Sequence, residues 1–265
     1  MSSRPGAVLH LGEEVARAAR RPRSLRTLLL DLDGTLAPLV PRPEQARVPR
    51  PALEALEALA RGGWTVAVVS GRPASAARRM IPLESVRIFG SHGLEGSWSG
   101  RARPVVAPSI RRRLRSLLVR GRGATRGIPG SMVEPKPAGV GFHDRRVLPG
   151  LRPEWRRRVR EILSGSDLEG LVILEGHRVV EVRPKGCSKG SVVNSYPPAR
   201  RRAKMDASFL AMGDDTTDED MFRAIRGKGL GVLVGPPRAF TDAARRLASP
   251  LQVTRFLSFL ADRIA

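Results

Sequence analysis

The stretch LLLDLDGTLAPL, residues 28–39, ends an apolar run in two carboxylates, Asp31 and Asp33, followed at once by Gly34 and Thr35. Desolvating two acids together at the end of a buried strand is costly unless a cation shares them. Period-two spacing on an extended strand predicts that both point to one face, and the glycine-containing turn can bring the backbone of Gly34 and Thr35 to an anion held there. A second acidic group follows another apolar run: MGDDTTDED, residues 212–220, contains Asp214, Asp215, Asp218, Glu219 and Asp220. That exceeds what the N-terminus of one helix needs, although Glu219 and Asp220 are also placed to favour its dipole. Oxygen ligands in this number suggest a hard cation, and magnesium is the one expected beside a phosphate.

Two further segments supply donors. VVSGR puts Ser70 between a strand and a helix, where its hydroxyl and the amides of Gly71 and Arg72 can meet an anion. In PKGCSKGSVV, Lys189 stands at a helix start, an unfavourable place for a cation without an anion nearby. Lys185 competes for the same role.

These residues need a scaffold that gathers them. The runs at 27–33, 64–71, 86–93, 208–215 and 230–235 are short, continuously apolar and closed by Gly, Ser or Asp, as strands covered on both faces would be. Helical patterns lie between them, at 51–63 from Pro to Gly and at 216–229 from an acidic start to Gly. The alternation predicts an α/β fold, a Rossmann-like parallel sheet whose site lies beyond the carboxyl ends of its strands. Residues 107–186 differ: amphipathic helices at 109–121 and 152–163 alternate with paired strands at 131–145 and 171–184. This predicts an α+β cap domain at 107–186, inserted in a catalytic core of 26–106 and 187–265, with 1–25 as a basic arm and a loosely attached helix.

The 265 residues suffice for a sizeable core, with 41% hydrophobic residues and no apolar run near the length of a membrane span. A single cysteine, Cys187, excludes an internal disulfide, and the N-terminus has no secretory apolar region, so a cytoplasmic protein without membrane partners is expected. The net charge of +22 is of the size found in nucleic-acid binders. Only five of the 47 basic residues are lysines, however, arginines are spread throughout, and aromatics for stacking make up only 4%. A compositional bias explains this better than a specific nucleic-acid partner.

In order and spacing, DLDGT, SGR, the lysine of SKG and GDDTTDED resemble the four signature motifs of the haloacid dehalogenase superfamily. The resemblance implies Asp31 as the nucleophile forming an aspartyl phosphate, and Asp33 as the acid that protonates the leaving oxygen and then activates water. It implies magnesium on Asp31, the carbonyl of Asp33 and Asp214, with Asp215 or Asp218 binding directly or through water. Ser70 and Lys189 would hold phosphoryl oxygens. In the cap region, GSHGLE (90–95), VEPKPAGVGFHDR (133–145) and EGHRVVEVRPKGCSKG (175–190) resemble the trehalose-6-phosphate phosphatases. On that resemblance Glu134, Lys136 and Glu181 would contact sugar hydroxyls, with His92 and Gly93 lining the core side. Glu134 and Lys136 as a solvated cross-strand pair, and Glu181 as an outward strand residue, are the plain alternatives. Asp144 stands where an aromatic is usual, and Pro135 and Pro137 stiffen the segment. The function implied is a magnesium-dependent phosphatase with a small-molecule sugar-phosphate substrate. The alternatives are another sugar phosphate or a basic nucleic-acid-binding protein with a phosphatase-like core.

Overall fold

The computed structural model describes residues 6–19, 25–98, 107–136, 139–176, 178–196 and 208–264. The chain divides into two compact units, 1–102 with 188–265, and 103–187.

The larger unit is built on a six-stranded parallel sheet. Its strands are β1 (Leu25–Leu30), β2 (Thr65–Val69), β3 (Arg87–Phe89), β8 (Ser208–Gly213), β9 (Gly229–Val234) and β10 (Arg245–Leu247), in the order β10-β9-β8-β1-β2-β3. Central β1 pairs with β2 on one side and β8 on the other, so the chain reverses its direction of travel across the sheet at β1. Such a switch point opens a crevice at the carboxyl ends of the strands. Both faces of the sheet are covered, which is why its strands read as unbroken apolar runs. Leu28, Leu30, Val66 and Val68 belong to one core with helices α1 (Gly6–Ala19), α2 (Arg50–Arg61) and α8 (Pro250–Ile264). Leu29, Ala67 and Val69 face the opposite way, into a core with α6 (Lys189–Asn194) and α7 (Glu219–Ala224). Helix α3 (Ala74–Met80) joins β2 to β3.

The expected loose attachment of the first helix is corrected. In α1, Val8, Leu11, Val15 and Ala19 recur at helical spacing and are buried in the core that also holds Phe256, Leu257 and Leu260 of α8. Glu14 pairs with Arg245 at 2.9 Å and Glu13 with Arg263 at 2.9 Å. Residues 1–5 and 20–24 of the basic arm lie outside the described residues. The helix read over 216–229 is also shorter: Thr216–Asp218 is one 3₁₀ turn and α7 stops at Ala224.

The smaller unit is a four-stranded antiparallel sheet, β4 (Met132–Lys136), β5 (Gly139–His143), β6 (Leu171–Gly176) and β7 (Val179–Pro184), in the order β4-β5-β7-β6. Helices α4 (Pro108–Ala124) and α5 (Arg152–Ser164) share one core with it, around Leu117, Val133, Phe142, Trp155 and Val182. Pro135 is accommodated because β4 is an edge strand, where a missing N–H breaks no inner ladder; Pro137 lies outside the described residues. No helix among the described residues is long and apolar enough to cross a membrane.

Candidate active site

The chain leaves the sheet at Asp31. Its amide donates to the Met212 carbonyl at 2.9 Å, the last tie to β8, and the amides of Leu36 and Ala37 then turn back to the Leu32 carbonyl. Beyond it the two carboxylates take different partners. The Asp31 carboxylate is buried and accepts from Lys189 Nζ at 2.5 Å. Asp33 is gripped at both oxygens by Arg72, Nε and Nη2 each at 2.6 Å. Arg72 also donates to the Pro43 carbonyl at 2.9 Å. The Arg72 side chain is thus taken up by Asp33, while the reading of its backbone amide as an anion donor concerns a different group.

Lys189 begins α6 and is 3% exposed. Besides Asp31 it donates to Asp218 Oδ1 at 2.7 Å, which accounts for a cation at that position. Lys185 is exposed, so of the two candidates only Lys189 enters the cluster. Oxygens of Asp31, Asp214 and Asp218 lie within 4.8 Å of one another. Asp214 is fixed by the Thr35 hydroxyl, which donates to its Oδ1 at 3.2 Å. Gly34 permits this approach: its φ is 85°, and a Cβ there would fall 2.1 Å from Asp214 Oδ2.

Asp215 does not join the cluster. Its carboxylate accepts from the Thr216 amide at 2.7 Å and is 62% exposed, while Asp218 returns the contact by accepting from the Asp215 amide at 2.9 Å. This reciprocal cap makes Asp215 a helix-start residue and turns Asp218 inward. Glu219 accepts from the Asp242 amide at 2.7 Å and Asp220 pairs with Arg223 at 3.2 Å, so both serve the local structure. The Asp33 carboxylate is also outside the cluster, occupied by Arg72.

The electrostatics follow from crowding in a dry site. Burial, opposed by Lys189, pushes the Asp31 carboxyl up to about 6. Burial and the neighbouring Asp31 charge push Asp218 up to about 7, and burial raises Asp214 as well. Burial would lower Lys189, but Asp31 and Asp218 outweigh it and hold the ammonium above its ordinary value. With all four groups ionised, three carboxylates and one ammonium leave two negative charges on closely spaced oxygens. This donor set and charge fit a hard divalent cation, with Asp31, Asp214 and Asp218 as the residues able to hold it.

The remaining core residues frame this cluster. Ser70 is buried at the end of β2; its amide donates to the Phe89 carbonyl at 2.8 Å and its hydroxyl accepts from the Arg72 amide at 3.1 Å. His92 lies against Gly71, close enough that a Cβ at Gly71 would be 2.9 Å from its ring. Ser91, His92 and Gly93 have φ of 50°, 56° and 92°, a tight turn pinned by Glu95. Glu95 accepts from the Ser91 hydroxyl at 2.5 Å and from the Ala74 amide at 3.0 Å, tying the turn to the start of α3. Sequence reasoning missed Arg238, which donates to the Asp214 carbonyl and lies 3.9 Å from Asp215. No motif signals it; it sits in the irregular chain after β9.

In the smaller unit, Glu134, Lys136 and Glu181 lie on the sheet face opposite α4 and α5, as their alternation with buried Val133 and Val182 requires. Lys136 pairs with Glu181 at 2.6 Å, and Glu134 accepts from or donates to no other described residue than His143, at 2.9 Å. His143 thus joins the three predicted residues on that face. Asp144, where an aromatic was expected, is buried and faces Arg178 at 3.5 Å.

Residues 29–238 match the family model described as trehalose-phosphatase. A probable trehalose-phosphate phosphatase of Sinorhizobium fredii is 31% identical over 95% of this chain and 93% of that protein. An uncharacterized glycosyl hydrolase of Mycobacterium tuberculosis is 34% identical over 91% of this chain, which spans only 18% of that protein's length. The solved trehalose-6-phosphate phosphatase of Aspergillus fumigatus superposes with a TM-score of 0.73, 25% identity, and coverage of 95% of this chain and 97% of that one. With its parallel sheet, its buried acid cluster and this match across most of its length, the chain belongs to the trehalose-phosphatase family.

Proposed function

We propose that the protein is a magnesium-dependent phosphatase that hydrolyses trehalose 6-phosphate to trehalose and inorganic phosphate through an aspartyl phosphate. The observation that carries the proposal is the division of labour after β1: Asp31 is set in the cation-binding cluster, while Asp33, two residues on, is held apart by Arg72. Asp31 attacks phosphorus as the bond to the sugar oxygen breaks, and Asp33 gives that oxygen a proton. Water then attacks the phosphorus of the aspartyl phosphate and Asp33 takes its proton, so that phosphate leaves and Asp31 is restored. Splitting one displacement into two lowers the barrier of each. With its carboxyl near 6, Asp31 is mostly ionised at neutral pH and able to act as nucleophile. Both Asp33 oxygens accept from Arg72, so carrying a proton requires Arg72 to release one of them. Magnesium, when bound, offsets the charge of the phosphoryl group and of the acids around it.

Lys189 and Ser70, with the amides of Gly71 and of the Gly34–Thr35 turn, are proposed to hold phosphoryl oxygens, in a reaction dominated by positioning and charge neutralisation. Glu134, Lys136 and Glu181 are proposed to select the sugar. A carboxylate and an ammonium on one strand face can read paired hydroxyls that an apolar surface cannot. Phosphate release from trehalose 6-phosphate, sucrose 6-phosphate and glucose 6-phosphate, with and without magnesium, tests the reading. It requires dependence on magnesium and a clear preference for trehalose 6-phosphate; equal rates on all three would remove the trehalose assignment.

A further inference from the structure

Of the four arginines at 156–160 on α5, two are neutralised within the helix and two are not. Arg157 and Arg158 pair with Glu154, and Arg157 also with Glu161. Arg156 and Arg160 are exposed and make no ion pair among the described residues. They stand four apart, where like charges repel unless an anion lies between them. Both line a cleft of about 450 Å³ between α5 and the β6–β7 hairpin. Across it, Arg178 occupies the left-handed region with φ 65°, and its carbonyl accepts from the Asp144 amide at 3.2 Å. Three arginines, two on α5 and one in the turn between β6 and β7, thus line the cleft.

Its interior carries the complement. Asp144 lines the cleft, is 2% exposed, and has one carboxylate oxygen 3.5 Å from Arg178. The other oxygen, Oδ1, is buried and has no hydrogen-bond partner. A buried acceptor of this kind calls for a donor, either an ordered water or a ligand group. Glu175 on β6 adds a second carboxylate at the edge. Trp155, also in the lining, is buried and spends its indole N–H on the Ser131 hydroxyl at 3.1 Å, so no open aromatic face is offered to a nucleobase. Guanidinium groups outside and acceptor-only carboxylates inside match a ligand with an anion at one end and hydroxyl donors at the other. The volume suits a small molecule.

We propose that this cleft, on the helical side of the smaller sheet and opposite the face of Glu134, Lys136 and Glu181, is a second binding site for a small phosphorylated polyol. Arg156, Arg160 and Arg178 hold the phosphate, and Asp144 and Glu175 accept from hydroxyls. The site does not depend on the phosphatase reading, because it shares no residue with the acid cluster.

Hydrogen exchange followed by mass spectrometry on the full chain tests it, using Asp31→Asn to prevent turnover. The probes are glucose 6-phosphate, inorganic phosphate and glucose, each titrated through the millimolar range. Glucose 6-phosphate is expected to slow exchange in peptides covering 152–164 and 171–184, at concentrations at least about tenfold below those at which phosphate or glucose does. The double variant Arg156→Ala/Arg160→Ala, altered only at exposed helix positions, is expected to weaken that protection about tenfold or more. Asp144→Asn should bring the response to glucose 6-phosphate closer to that of plain phosphate. Absence of protection by glucose 6-phosphate would overturn the proposal and leave Asp144 to water. Protection unchanged in the double variant, or equalled by inorganic phosphate, would overturn it too.

Discussion

Asp31 and Asp218 share one lysine, and each keeps its proton to a higher pH than a free aspartate does. For the metal-free protein this has a definite sign. Below about pH 3 both groups are almost wholly protonated folded or unfolded and contribute little to the pH slope. As pH rises towards the folded values of about 6 and about 7, the unfolded chain sheds protons that the native site retains, so stability falls. Relative to the parent protein in chelator, Asp218→Asn should gain thermal stability progressively from about pH 5 to about pH 7.5. A difference in melting temperature that does not grow with pH would contradict the crowding. On the proposal that the deprotonated cluster holds magnesium, the ion should raise the melting temperature more at the upper pH than at the lower. For catalysis, Asp31→Asn should lower turnover by about 10⁴-fold or more while far-ultraviolet circular dichroism stays that of the parent. Phosphate release close to the parental rate would take the nucleophile role from Asp31. Arg72→Ala should lower kcat by about 100-fold through misplacement of Asp33, with a smaller change in KM. Arg72→Lys should restore little, since an ammonium cannot grip both carboxylate oxygens as the guanidinium does. A rise in KM alone would instead make Arg72 a substrate contact.

At the scale of elements, turns and helix starts decide which acids meet. DGT was legible as a turn after a strand, but the 2.1 Å approach of a Gly34 Cβ to Asp214 exists only because β1 and β8 are neighbours. Gly34→Ala combines that clash with an unfavourable φ and should abolish activity even if the protein folds. Asp215 and Asp218 stood as alternatives in sequence, and the reciprocal cap between them separates them into one exposed and one buried. Helix α1 was misread for a related reason. Its apolar stripe, broken by charged residues, is too short to declare burial by itself, and its partner α8 lies at the other end of the chain. Leu11→Ala should cost about 2–4 kcal/mol in urea unfolding, in keeping with a large-to-small change in a packed core. A cost below about 0.5 kcal/mol, the range of surface substitutions, would restore the picture of a loose arm.

For the whole molecule, the proposed chemistry and the proposed choice of sugar fall to different units. The acid cluster and Lys189 belong to the larger unit, and the Lys136–Glu181 pair to the smaller. Lys136→Ala should therefore lower kcat/KM for trehalose 6-phosphate by about tenfold or more, the scale of lost hydrogen bonds to a substrate hydroxyl. Hydrolysis of p-nitrophenyl phosphate, which carries no sugar, should change by less than about threefold. Equal losses on both substrates would place Lys136 in the fold of its unit instead of in recognition. Some arginines are held in intramolecular pairs, such as Arg113 with Asp167 and Glu169 and Arg157 with Glu154 and Glu161, but the charge of +22 is what is left after every acid has been counted.

By itself the sequence determined the alternating sheet-and-helix core, the distinct character of its middle third, and the short list of residues able to handle a phosphate. Those features are carried by local periodicity and by residues close in the chain. Tertiary structure decided the pairings: Lys189 between Asp31 and Asp218, Asp218 rather than Asp215 in the cluster, Arg72 on Asp33, and Arg238 behind Asp214. Each choice depends on which strand ends become neighbours and on which side chains lose contact with water. Charge and spacing along the chain do not encode either condition: Asp31 and Lys189 are 158 positions apart, and Asp33 and Arg72 are 39 apart.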